Sequence, residues 1–312
     1  MELGRNLQAT IRSSVTFVGI GLHSGRPSRI TLHPASASYG VWFRRTDIDH
    51  IDTMIPARYD AVPQTQLCTK LRNNAGVEVS TVEHIMAALA GCGIHNALIE
   101  IDGPEVPIMD GSAAAFVRGI MSKGIQRQGA PIHAIEILKV VQVQDGLAKA
   151  SLRPAAGLEM EFKIDFADPA IGVQSRQMSL ENGHFVRELC DSRTFCSQSD
   201  VEFMRDHGLA LGGTYENAVV VDGDKILSPG GLRHSDEAVR HKMLDALGDL
   251  ALAGAPILGR YEGVRAGHML TNRLLRTLFA TPGATRIVEC TPAQASRLPG
   301  VGVNTSDLAR VA

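Results

Sequence analysis

The order of its hydrophobic patterns constrains this 312-residue chain most: strand-period segments come first, helix-period segments follow, and the same order then repeats. Val15 to Leu22 and Ile30 to His33 read as strands, with Gly19-Ile20-Gly21 loosening the first and His23-Ser24-Gly25 turning the chain. A helix opens at Ser80-Thr81-Val82-Glu83, where Ser80 is placed as the cap and Glu83, three residues on, completes a capping box. Ala97 to Ile101 is a short strand, and Asp110-Gly111-Ser112 leads into a second helix through Phe116 and Ile120. In the second half Leu158 to Phe166 alternates without a break, so Leu158, Met160, Phe162, Ile164 and Phe166 are expected on one buried face. Helices follow from His241 to Leu252 and from about His268 to Phe279.

The two halves also echo each other. Placing His84 over His241 sets Met86 over Met243, Gly91 over Gly248 and Gly111 opposite His268. The expected fold class is therefore α+β: two similar layered domains, each a sheet packed against a helix pair, facing one another across the active site. With 44% hydrophobic residues the chain can bury two cores. The domains are expected at 1–127 and 132–280, with the polar, Gly- and Pro-containing stretch Gly124 to Pro131 as a linker. Thr194 to Asp222 interrupts the second plan and reads as a βαβ-like insert near 196–222.

A net charge of −2 without a dense Lys/Arg run argues against nucleic acid as a partner. Five cysteines with no C-x-x-C fit free thiols in a reducing cytoplasm, not a disulfide framework or thiolate zinc site. No apolar run approaches the ~18 residues of a spanning helix, so the expectation is a cytoplasmic protein, neither exported nor membrane-spanning.

Chemistry concentrates in His241-Lys242-Met243-Leu244-Asp245-Ala246-Leu247-Gly248-Asp249. An imidazole and two carboxylates recur there every fourth residue, which stacks them on one helix face. A lone H-x-x-x-D is ordinarily a solvated pair, and Glu83 and His84 taken alone are a cap partner and a buried polar residue. Together, however, His84, His241 and Asp245 meet the need of a catalytic zinc site for three nitrogen or oxygen ligands, with Glu83 beside the water.

The blocks Gly19-Ile20-Gly21-Leu22-His23-Ser24-Gly25, Ser80-Thr81-Val82-Glu83-His84, Pro107-Ile108-Met109-Asp110-Gly111-Ser112, Ser192-Arg193-Thr194-Phe195 and Val239 to Asp249 resemble the UDP-3-O-acyl-N-acetylglucosamine deacetylase family, in family order over about residues 1–280. The resemblance implies zinc, or alternatively ferrous iron, on His84, His241 and Asp245. It implies Glu83 as general base, the Thr194 hydroxyl as an oxyanion donor, and a cationic His268, oriented by Asp249, that protonates the leaving amine. Lys242 and Arg265 would serve the hexosamine oxygens and diphosphate, Phe166 the uracil ring, and Phe195 the acyl channel built on the second insert. His23 would approach the site without being a primary ligand, and Cys68, bordering it, is not the nucleophile. The partners implied are UDP-3-O-acyl-N-acetylglucosamine and water, with transient contact at a membrane surface and a monomeric state.

The resemblance also places a small β insert near 59–72. The tail 281–312, with scattered Arg, Pro and Gly, maps onto nothing in the family core and reads as a disordered or adorning C-terminal segment. Two other readings stand beside the leading one: a paralogous metal-dependent deacetylase of another acetylated amino sugar, and a non-enzymatic binder that kept the fold. A binder has no chemical need for Glu83 beside the ligands.

Overall fold

Side-chain alternation decides which face each strand buries. In Leu158–Asp165, Leu158, Met160, Phe162 and Ile164 are buried, whereas Lys163 and Asp165 are exposed. The strand stops before Phe166, whose amide instead bonds Gly172 across the turn, so this ring is 41% exposed and does not join the buried face. The computed structural model describes residues 6–63 and 67–310.

The first half forms a five-stranded sheet in the order Val15–Ile20, Pro27–Pro34, Ala97–Ile101, Val41–Arg45, Met54–Pro56. Its helices are α1 (Glu83–Gly91) and α2 (Ala114–Lys123), the latter packed on Val15–Ile20 and on α1. The second half forms a seven-stranded sheet, with the long strand Ile257–Val264 pairing antiparallel to Ala148–Arg153 and parallel to Leu158–Asp165. After the short helix α3 (His184–Glu188), α4 (Gln198–Asp206) lies between Phe195–Ser197 and Val219–Asp222, which pair in parallel. The helices α5 (Glu237–Ala251) and α6 (His268–Ala280) then cover the second sheet. This is the α+β class expected.

The two halves meet helix to helix, with α1 packed along α5 and both sharing one apolar core. Burial nearly all round explains why α1 is Ile85-Met86-Ala87-Ala88-Leu89-Ala90-Gly91 after its first turn: small and apolar side chains let another helix approach closely. Against that background Glu83, His84, His241, Asp245 and Asp249 are charged or polar side chains buried in a helix interface. Such groups are costly unless they are mutually satisfied or hold an ion.

Several expectations need correction. Ser80 does not cap α1: it ends the strand Glu78–Ser80, its hydroxyl bonds the Pro104 carbonyl, and Val82 precedes the helix without a side-chain cap. The stretch Ile125–Pro131 is not a free linker but a strand paired with Leu7–Ile11, because its backbone groups find partners in the N-terminal segment. The tail is not disordered where it is described. Thr285–Glu289 pairs in register with His133–Ile137, and α7 (Pro292–Ala295), capped by a Thr291–Gln294 box, brings Ala295, Leu298 and Val301 onto Ile132, Ala134 and Leu258. In the first insert, Tyr59–Ala61 is a single 3-10 turn and Lys70–Arg72 pairs with Glu78–Ser80, while residues 64–66 lie outside the described residues, as do 1–5 and 311–312.

Candidate metal centre and active site

The helix repeat places His241 and Asp245 one turn apart on the face of α5 that meets the first turn of α1. His84 comes from α1, and its ring stands edge-on to that of His241 with centroids 5.1 Å apart. One ligand atom from each of His84, His241 and Asp245 lies within 4.8 Å of the others, and all three residues are buried. Asp245 Oδ1 is 3.6 Å from His84 Nε2 and 3.3 Å from His241 Nε2. It has no hydrogen-bond partner although fully enclosed. Two imidazole nitrogens converging on an orphaned carboxylate oxygen are the donor set a divalent cation satisfies.

The protonation states suit that role. Burial lowers the pKa of His241 to about 4, so its ring is neutral at pH 7, and its Nδ1 is turned to the Ser192 carbonyl at 2.9 Å, leaving Nε2 for the cluster. Burial works against the carboxylate of Asp245, but His241, Lys242 and His268 outweigh it and hold it well below the usual range.

Glu83 and His268 face each other beside this cluster, with Glu83 Oε1 3.8 Å from His268 Nε2. Burial pushes the Glu83 carboxyl up, against the pull of His268 and His84. His268 Nδ1 meets Asp249 Oδ2 at 2.9 Å. Burial opposes its charged form, but Asp249, Glu83 and Asp245 prevail and raise its pKa to about 9. A buried carboxyl group and an imidazolium that can give a proton therefore flank the His84, His241 and Asp245 cluster.

Thr69, which the sequence did not single out, ties the two together: its amide donates to Glu83 Oε2 at 3.0 Å and its hydroxyl to Asp249 Oδ1 at 2.5 Å. No periodicity links positions so far apart, and no signal in the sequence marks it. Two residues before Glu83, Thr81 adopts a left-handed backbone with φ 58° and bonds the buried Glu105 carboxylate, which also receives the amides of His23 and Ser24. Both ring nitrogens of His23 are buried without partners, and burial lowers its pKa. Cys68 is buried, its thiol pushed up to about 12 by burial and by Glu83, which leaves it protonated.

The remaining expected residues are distributed less evenly. Thr194 is half-buried and follows the Ser192 that orients His241; its amide bonds the Gly111 carbonyl. The Phe195 ring lies 6.3 Å from that of His241 and 5.1 Å from that of Phe166, so the two aromatics extend from the cluster toward the surface. Lys242 donates to Asp245 Oδ2 at 2.8 Å. Arg265, left-handed at φ 49°, turns its guanidinium to Asp165 rather than to the cluster. Lys70 and Arg72 of the first insert pair with Glu78.

The sequence has counterparts among known proteins. The family described as LpxC, UDP-3-O-acyl N-acetylglycosamine deacetylase, matches residues 8–280. A UDP-3-O-acyl-N-acetylglucosamine deacetylase of Phenylobacterium zucineum is 50% identical over 280 residues, covering 90% of this chain and 96% of that protein. Proteins of the same name from Idiomarina loihiensis and Shewanella violacea are 46% identical over 291 residues and 44% over 283, covering 93% and 90% of this chain and 95% and 92% of theirs. At such identity over nearly the whole length, the chain belongs to the UDP-3-O-acyl N-acetylglycosamine deacetylase family.

Proposed function

We propose that this protein hydrolyses the N-acetyl amide of UDP-3-O-acyl-N-acetylglucosamine, releasing acetate in the committed step of lipid A biosynthesis. The observation that carries the reading is the convergence of His84, His241 and Asp245 on one point, with Glu83 and His268 facing each other beside it. The ligand set, two imidazoles and a carboxylate, fits zinc, with ferrous iron the alternative. When bound, the ion supplies Lewis-acid polarisation of the amide carbonyl and acidifies water at the site.

The chain's own groups then divide the proton work. Glu83, buried and held through Oε2 by the Thr69 amide, keeps Oε1 toward the site and accepts the proton of the attacking water. The Thr194 hydroxyl donates to the carbonyl oxygen as it gains charge. His268, fixed through Nδ1 by Asp249, presents Nε2–H to the departing amine. The negative partners that keep His268 cationic are also what make it available as an acid at neutral pH.

Phe195 and Phe166 form the apolar wall leading out of this centre, Phe195 toward the acyl chain and Phe166 toward the uracil ring. Lys242 and Arg265, released from Asp245 and Asp165, supply charge to the hexosamine and diphosphate oxygens. We assign the halves 1–127 and 132–280 to two domains, with inserts near 59–72 and 196–222 that select the substrate. The tail adds a strand to the second sheet. No helix among the described residues is long and apolar enough to cross a membrane. The reading is of a cytoplasmic monomer that touches the membrane surface transiently to meet its acylated substrate.

The deciding experiment measures metal content together with acetate release from the acylated substrate and from unacylated UDP-N-acetylglucosamine, before and after chelation, with zinc or ferrous iron added back. Activity lost with the metal, restored by it and selective for the acylated sugar is the expected result. Full activity in rigorously metal-free protein would overturn the reading.

A further inference from the structure

The block Ser192-Arg193-Thr194-Phe195 contributes a carbonyl to His241 and, in the reading above, the Thr194 hydroxyl, yet its own most elaborate contact is made by Arg193, which has no part in the proposed chemistry. Arg193 and Glu237 are almost completely buried, at 5% and 1% exposure. Glu237 Oε1 accepts from the Arg193 amide and Nε, both at 2.9 Å, and Oε2 from Arg193 Nη2 at 3.2 Å and the Arg233 amide at 2.7 Å. Arg193 Nη2 also reaches the Gly231 carbonyl at 2.6 Å. Glu237 sits in the first turn of α5, one helical turn before His241.

One segment is thus stitched to one helix at two points. At the first, Glu237 holds Arg193. At the second, the Ser192 carbonyl meets His241 Nδ1 at 2.9 Å. Between them the direction of His241 Nε2 and the placement of Thr194 are both fixed. A buried ion pair is poor evidence for a stability role, since well-packed apolar residues of the same volume commonly serve as well or better. A fork geometry that satisfies a backbone amide, a guanidinium and a second backbone amide with one carboxylate is suited to holding atoms in register.

We propose that Glu237 and Arg193 are positioning residues for the metal centre: they lock Ser192–Thr194 onto α5, so that the Ser192 carbonyl aims the metal-binding nitrogen of His241 and the Thr194 hydroxyl stands at the reacting carbonyl. This rests on the metal-dependent reading above. Neither residue touches substrate or metal; they act through Ser192, Thr194 and His241.

The test compares wild type with Glu237→Gln in the full chain, by chelator competition for zinc and by steady-state kinetics at saturating zinc, folding being checked by circular dichroism and urea denaturation. In the folded variant, zinc affinity falls about 10- to 100-fold, the range for loss of a group that orients a ligand. Turnover of the zinc-saturated variant falls with KM kept within about twofold, the signature of a contact that matters at the transition state and not in substrate binding. Arg193→Lys, which keeps the charge but not the fork, moves both readouts the same way by less, and it decides the matter if Glu237→Gln fails to fold. A folded variant with wild-type zinc affinity and turnover overturns the inference. A wild type that turns over with neither zinc nor iron bound sinks the metal reading itself, a result told apart because it shows before any variant is made.

Discussion

A Cβ placed on Gly248 would lie 2.0 Å from the carbonyl oxygen of Glu83. The helix carrying His241 and Asp245 therefore touches the backbone of the proposed general base, with no room for even a methyl group. Gly248→Ala forces α5 away from α1, and since overpacking of this kind costs about 1–3 kcal/mol, urea denaturation should show a loss of that order. The same displacement separates His84 from His241, so zinc affinity should fall with stability. A variant as stable and as tightly zinc-binding as wild type contradicts the account.

Glu83→Gln removes the proton acceptor and preserves the side chain's shape. Turnover should fall by about 10²- to 10⁴-fold while zinc content stays at the wild-type level. Unchanged turnover in metal-replete protein removes Glu83 from the base role.

His84→Ala and Asp245→Asn should instead lose metal and activity together, since each takes one corner from a three-ligand set. Elemental analysis after exhaustive dialysis is the measurement. Stoichiometric zinc retained by either variant would show that the ion sits elsewhere.

The pH dependence of the metal-free protein follows from His268, whose pKa is raised to about 9 mainly through Asp249 once the cost of burial is overcome. A folded value above the ordinary ~6.5 means that its contribution to stability is fully present below ~6.5 and is lost as pH rises through about 9. The urea midpoint of metal-free wild type should decline over that window. Asp249→Asn, lacking the main counter-charge, should show a shallower decline over the same window, and an equal slope in both proteins would break the assignment.

Phe166, exposed and edge-on to Phe195, is expected to act in substrate binding alone. Phe166→Ala should raise KM with little change in kcat, by about 1 kcal/mol or several-fold for a lost ring contact. A fall in kcat at constant KM would place the ring in the chemistry instead.

Much of this was legible from local pattern. The i, i+4 spacing of His241 and Asp245 survives intact in α5, and the alternation of Leu158 to Ile164 matches the buried face of its strand. What local pattern misjudged were segments whose partners are remote. Ser80 looks like a cap but is taken by the Pro104 carbonyl, and Thr285–Glu289 looks like tail because a five-residue edge strand, with Ile287 61% exposed, has little periodicity of its own. The Thr291-Pro292-Ala293-Gln294 cap that follows it was a readable sign of order.

The amino-acid sequence by itself determined which side chains can coordinate and titrate, and that two of the proposed ligands share a helix face, because helical geometry repeats on a scale of a few residues. Only the tertiary structure decided that His84 meets that face, that Thr69 bridges Glu83 and Asp249, and that Ser192 aims His241. Those meetings depend on how closely α1 and α5 can pack and on where loops far apart in the chain find hydrogen-bond partners. Such contacts are set by shape and burial, which no spacing along the chain encodes.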